Sequence, residues 1–193
     1  MGMKSGHHYW YWDKEITHEA CQKIINLGEE KWNQAQTLGS ENENTEHDLS
    51  ISRKSDVVWI TDQWVYDLIW PLMLDSNEQA EWKYDIDAAE SCQLTRYTKG
   101  GFYSWHRDGI GSHREVNNEP NNKFLHNNAR KLSMSIILND DFEGGNFEFS
   151  REQLELPKGS VIVFPSFIDH RVAPVTKGKR YSLVVWFVGP PFK

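Results

Sequence analysis

Three residues have the chemistry to hold one metal ion. His106 and Asp108 stand two apart in Tyr103-Ser104-Trp105-His106-Arg107-Asp108-Gly109, and His170 follows 62 residues after Asp108 in Asp169-His170-Arg171. Alternate side chains share a face on an extended strand, so His106 and Asp108 should point the same way. Two imidazoles and one carboxylate on one side of an ion suit Fe(II) and leave its opposite side open. The same donors also suit zinc. Arg180, ten residues beyond His170, separates the two cases. A guanidinium holds a carboxylate through two parallel hydrogen bonds, and burying it without such a partner is costly. A metal site with a carboxylate anchor points to 2-oxoglutarate, whose keto-acid end would chelate the metal while its far carboxylate meets Arg180. A zinc hydrolase would leave Arg180 without a role.

The rest of the chain must position these groups. Thr17 can cap a helix over about 17–36, in which Ala20, Cys21, Ile24, Ile25, Leu27 and Trp32 recur at helical spacing. A strand over 51–60 leads to a second helix capped by Thr61. Val65, Leu68, Ile69, Leu72 and Met73 share its face, and Pro71 should kink or break it. Strands are expected at 81–86 and 91–98, after the Gly100-Gly101 turn, and then at 131–138, 146–150, 161–164 and 180–188. The aromatic run Tyr9-Trp10-Tyr11-Trp12 reads as an edge strand or an arm, and His7-His8 as an ordinary surface pair. Two polar stretches, 37–50 and 109–128, read as loops placed to act as lids. Two helices followed by about eight short strands give a mostly β fold with flanking α. The expected fold is a double-stranded β-helix, or jelly roll, with the N-terminal helices packed on one sheet. The chain is read as one domain, 1–193, with helices and supporting strands in 1–90 and the jelly-roll core in 91–193.

Composition narrows the partners. The net charge is -7, which argues against nucleic acid as a partner, because phosphate backbones call for cations. Cys21 and Cys92 are the only cysteines, which is no disulfide framework and fits a reducing interior. No apolar run approaches the ~20 residues of a membrane span, and the first residues lack the apolar core of a signal peptide. A soluble, intracellular (cytoplasmic) protein is expected, a monomer or weak oligomer. Nine tryptophans are many for this length, and exposed ones would suit a peptide groove.

The segment from Phe164 to Ser182, Phe-Pro-Ser-Phe-Ile-Asp-His-Arg-Val-Ala-Pro-Val-Thr-Lys-Gly-Lys-Arg-Tyr-Ser, resembles the distal-ligand segment of the 2-oxoglutarate- and Fe(II)-dependent dioxygenases. The likeness is to their prolyl 4-hydroxylase-like group, in its bacterial and phage form. Arg130-Lys131-Leu132-Ser133-Met134-Ser135, followed by Glu143-Gly144-Gly145, is similar to the central strand and turn of that group. The resemblance runs from about Ser50 and is densest from Leu94 to Lys193. It implies that His106, Asp108 and His170 hold Fe(II), and that Arg180, assisted by Ser182, binds the far carboxylate of 2-oxoglutarate. It implies a cosubstrate contact at Tyr97 and places Trp186 near both iron and substrate. Arg53, Ser55, Glu90, Tyr103 and Arg130 match positions that line the substrate groove. Two departures stand out. Ile137 replaces a tyrosine usual in the prolyl enzymes, and Val188 replaces a substrate-binding histidine of plant-type members.

The activity implied is hydroxylation of a proline in a peptide or protein, as in procollagen-proline-type enzymes. O2 and 2-oxoglutarate would be consumed, succinate and CO2 released, and ascorbate would be a further cofactor. Proline lacks a backbone N–H and favours polyproline II, a form suited to an aromatic groove. Asp108 favours hydroxylation over halogenation, because related halogenases lack that carboxylate. The alternatives are a hydroxylase of another residue or of a free amino acid and, from another class, a non-catalytic jelly-roll binding module.

Overall fold

Strand-by-strand alternation of side chains decides this architecture, because its larger sheet is covered on both faces. The computed structural model describes residues 2–5, 8–29, 31–35, 52–109 and 126–192. The expected lid at 37–50 lies outside the described residues, as does 110–125 of the second one. In chain order the elements are β1 (Gly2–Ser5), β2 (Tyr9–Trp12), α1 (His18–Leu27), β3 (Asn33–Gln34), β4 (Arg53–Lys54), β5 (Asp56–Ile60), α2 (Gln63–Gln79), β6 (Ala88–Ala89), β7 (Cys92–Tyr97), β8 (Phe102–His106) and β9 (Ala129–Ile137). There follow β10 (Phe142–Gly144), β11 (Phe147–Phe149), β12 (Glu152–Leu154), β13 (Val161–Pro165), β14 (His170–Val172), β15 (Val175–Gly178) and β16 (Arg180–Gly189).

The larger sheet runs β1-β2-β13-β9-β16-β7-β5-β3, with β6 beside β16, and the smaller runs β12-β11-β14-β8-β4. Every strand pairing is antiparallel. One face of the larger sheet carries Leu94, Leu132, Met134, Ile136, Leu183 and Phe187, which pack with Cys21 and Ile24 of α1 and with Val65, Ile69 and Met73 of α2. The other face turns Tyr97, Ile162 and Phe164 toward Phe147, Phe149 and Val172 of the smaller sheet. The expected jelly roll with helices on one sheet is thus observed. The aromatic run forms β2, which lies between β1 and β13 rather than at the sheet's edge. Among the described residues no helix is long and apolar enough to cross a membrane.

Several local expectations need correction. Thr17 caps α1 as expected, its Oγ1 accepting from the Ala20 N–H at 3.2 Å, but the helix ends at Leu27. Gly28 sits so tightly under the sheet that a Cβ there would lie 2.6 Å from Leu94 Cδ2. The chain then turns, and Trp32 lies against Tyr181 and Arg96 instead of continuing a helix. The second helix starts after Asp62, one residue beyond the expected cap, and runs unbroken through Pro71. Pro71 is on the solvent face, where water can take the carbonyl it frees, while Val65, Ile69 and Met73 hold the other face to the sheet. Residues 81–86 form no strand. The Asn77 side chain binds Tyr84 at both N–H and carbonyl, at 3.0 and 2.9 Å. Glu81 and Lys83 take left-handed conformations in the turn this closes.

Candidate active site

The two histidines come from adjacent strands of the smaller sheet, the last residue of β8 and the first of β14, and they face each other in register. Between the pairs Val172↔Tyr103 and His170↔His106, β8 advances three residues while β14 advances two. This bulge overrides strict alternation, which would put Tyr103 and His106 on opposite faces. Both rings instead turn into the space between the sheets and stack, with centroids 3.5 Å apart. Asp108 lies beyond the strand, and a loop contact places it: its N–H donates to the Ser166 carbonyl at 2.9 Å. His106 Nε2 is 3.7 Å from Asp108 Oδ1, and His170 Nε2 is 3.5 Å from Asp108 Oδ2. One donor atom from each residue falls within 4.8 Å of the others.

The surroundings prepare these groups for a cation. His106 Nδ1 lies 2.8 Å from the Ser104 carbonyl, and His170 Nδ1 lies 2.9 Å from the Ile168 carbonyl. A carbonyl only accepts, so each Nδ1 carries the proton and each Nε2 presents a lone pair. Burial, aided by the neighbouring His170, lowers the His106 pKa to about 4 and keeps the ring neutral. Burial alone would raise Asp108, but His170, His106 and Arg130 hold its carboxyl below the usual range. Its Oδ2 is buried without a hydrogen-bond donor. An anionic oxygen in that state, beside two imidazole lone pairs, fits a bound divalent metal ion.

Arg180 begins β16, opposite Tyr97 of β7, and is 1% exposed. Its Nη1 donates to Ser182 Oγ at 3.0 Å, its Cζ stands 5.4 Å from the Tyr97 ring centroid, and its Nε has no partner. No ion pair to it is found among the described residues, and burial lowers its pKa. The Arg180 side chain passes so close to Gly145 that a Cβ there would lie 2.9 Å from Arg180 Cδ. Gly145 also has φ +64, so this turn needs glycine twice over.

A cleft of about 400 Å³, part of it open to solvent, runs along the metal-ligand residues, between the two sheets. Tyr97, Ser182, Arg53, Tyr103 and Trp186 line it. Arg53 lies over the Tyr103 ring and donates to Ser55 Oγ and Gln93 Oε1, both at 2.7 Å. Ser55, Glu90 and Arg130 do not line the cleft and act from behind it. Ser55 holds Arg53. Arg130 donates to both Glu90 oxygens, at 2.5 and 2.8 Å, and its Cζ lies 3.9 Å from the Trp186 ring centroid. Trp186 Nε1 is buried and unpartnered. Val188 is buried opposite Arg130.

Residues 92–188 match the family model described as the 2OG-Fe(II) oxygenase superfamily. The chain belongs to that superfamily. Among curated relatives of this oxygenase, the PKHD-type hydroxylase of Stenotrophomonas maltophilia is 33% identical over 100 residues, covering 49% of this chain and 41% of that protein. A PKHD-type hydroxylase of Synechococcus sp. (strain CC9605) is 32% identical over 108 residues, covering 52% and 43%. The matched part is thus less than half the length of either relative. The fold is shared with the viral collagen prolyl hydroxylase of Paramecium Bursaria Chlorella virus-1 (TM-score 0.69, 20% identity, 94% of this chain and 96% of that chain). It is also shared with a Pseudomonas putida prolyl-4-hydroxylase (TM-score 0.68, 18% identity, 94% and 92%).

Sequence reasoning passed over some walls of this oxygenase's cleft. Gln93 and Ser135 line it, and Ser133 Oγ meets Ser166 Oγ at 2.9 Å behind Asp108. The available signal was the polar member of each alternating pair. In Cys92-Gln93-Leu94-Thr95 and Leu132-Ser133-Met134-Ser135, the apolar residues take the helix side, and from the polar ones between them Gln93 and Ser135 reach the cleft. A strand buried on both faces that still keeps polar residues at period two is marking a site face.

Proposed function

We propose that the chain is a 2-oxoglutarate- and Fe(II)-dependent hydroxylase acting on a proline in a peptide or protein. One observation carries the proposal: the His106, Asp108 and His170 cluster shares an interior with a buried arginine that has no carboxylate partner among the described residues. His106, His170 and Asp108 hold the metal. Arg180 and Ser182 receive the far carboxylate of 2-oxoglutarate, and Tyr97 packs beside it. Iron, when bound, activates O2 and couples decarboxylation of 2-oxoglutarate to oxygen insertion into a C–H bond, giving succinate and CO2. Arg53, Tyr103 and Trp186 shape the opening for an extended prolyl segment, and the Glu90–Arg130 pair steadies Trp186 from behind.

The PKHD-type relatives support hydroxylation. The likeness to prolyl hydroxylases includes one from Trichoplax adhaerens in complex with a hypoxia inducible factor peptide fragment, and it supports a peptide substrate (TM-score 0.64, 14% identity, 94% of this chain and 83% of that chain). Residues 1–90 and 91–193 work as one catalytic domain, with ascorbate as accessory reductant. The enzyme is cytoplasmic and a monomer or weak oligomer. The test is mass spectrometry of proline-containing peptides after incubation with Fe(II), 2-oxoglutarate, ascorbate and O2. One oxygen gained on proline, and none with Asp108→Ala, is expected. Succinate formed with no proline oxidised would overturn the choice of proline and turn the search to other residues and free amino acids. No 2-oxoglutarate turnover with any substrate would favour a binding module.

A further inference from the structure

Arg180 does not line the metal cleft itself. It lines a second chamber of about 220 Å³, part of it open to solvent, walled by Ile137, Phe142, Gly145, Leu154 and Leu156, with Asn146 the only other polar side chain among the described residues. Phe147 lines both cavities, and Ser182 lines the cleft while holding Arg180 Nη1. Arg180 therefore borders the chamber and reaches the cleft through Ser182. Among the described residues its guanidinium is held by a single hydrogen bond, to a neutral hydroxyl. Ile137, opposite Ser182 in register, offers it no acceptor. A flexible side chain with one weak tether and empty space beside it can withdraw, carrying a bound carboxylate as an ion pair.

We propose that the cosubstrate site accepts 2-oxo dicarboxylates one methylene longer than 2-oxoglutarate, with Arg180 withdrawing into the chamber to make room. The proposal rests on Arg180 being the far-carboxylate anchor. With 2-oxoadipate the balanced reaction is 2-oxoadipate + O2 + R–H → glutarate + CO2 + R–OH. One oxygen atom of O2 enters the new glutarate carboxylate and the other enters the hydroxyl group.

A rigid pocket discriminates against one extra methylene by roughly 10- to 200-fold. Thermal-shift titrations of the full chain with Mn(II) and either keto acid measure that ratio without turnover. The two acids are expected to bind within about tenfold of each other. The Leu156→Phe variant, which adds bulk to the chamber's lining, should weaken 2-oxoadipate by more than about tenfold and 2-oxoglutarate by less than about threefold. Normal 2-oxoglutarate binding with 2-oxoadipate more than about tenfold weaker in the unmodified chain overturns the proposal. So does a Leu156→Phe variant that affects both acids alike or neither. If Leu156→Phe does not fold, Leu154→Phe is read by the same criteria. If neither acid binds, the anchor role of Arg180 fails, and that result is distinct from a selective loss of the longer acid.

Discussion

Arg130 and Arg180 lie on adjacent strands of the larger sheet and are buried to 7% and 1% exposure, yet their surroundings differ in kind. Arg130 is closed on itself, gripped by both oxygens of Glu90 and covered by Trp186. Arg180 has a serine hydroxyl, the face of the Tyr97 ring and an idle Nε. Its neighbours raise the Arg130 pKa against the pull of burial, whereas burial lowers that of Arg180. A buried charge is tolerated when paired and costly when not. The first arginine is therefore complete within the chain, whereas the second has no charged partner among the described residues.

Replacing each arginine's charge should separate these roles. Arg180→Met should lower turnover with 2-oxoglutarate by about 10³-fold, because two charge-assisted hydrogen bonds to a carboxylate are lost. The same substitution should leave the melting temperature unchanged or higher, since an unpaired buried charge is removed. A parallel loss of stability would break the comparison. Glu90→Gln should behave in the opposite sense, destabilising the fold by about 3 kcal/mol as Arg130 is left uncompensated. Chemical denaturation measures this directly.

His106 shows a third way to bury such a group, which is to discharge it. Its folded pKa of about 4 lies below the unfolded value of 6.5, so between those values the unfolded chain binds more protons. In the metal-free protein, the His106 contribution to stability is fully present above pH 6.5 and is lost as pH falls through 4. The span is roughly 3 kcal/mol, and His106→Asn should flatten that part of a stability–pH curve. The smallest effect belongs to the double replacement Arg130→Met with Glu90→Leu, which removes both charges together. Its stability should stay within about 1 kcal/mol of the parent, far less than the loss from Glu90→Gln alone.

The family and the grouping of the candidate site were legible in the sequence, and part of its geometry was not. The gathering of His106, Asp108 and His170 at one place could be expected from residue type and order. Tyr103 and Arg130 did not declare their faces. Tyr103 is three residues from His106, and Arg130 has the parity of Leu132 and Met134, which point at the helices. In each case a shift in pairing register resets the alternation, one in β8 and one where Phe187↔Leu132 gives way to Val188↔Arg130. Such shifts depend on both strands of a pair and leave little trace in either alone. Residues 81–86 failed as a strand for a similar reason, since the side chain that closes their turn, Asn77, belongs to the preceding helix.

The two faces of the larger sheet also bear on how such a protein can change. Leu132, Met134 and Ile136 are committed to the helices, while Ser133 and Ser135 sit between them in sequence on the opposite side. Successive codons along β9 thus answer to different masters. A drift in substrate or cosubstrate preference can proceed at every second position while the interleaved positions keep the fold intact. A library confined to Gln93, Ser135 and Val184 would explore new specificities without drawing on the contacts that hold α1 and α2 in place.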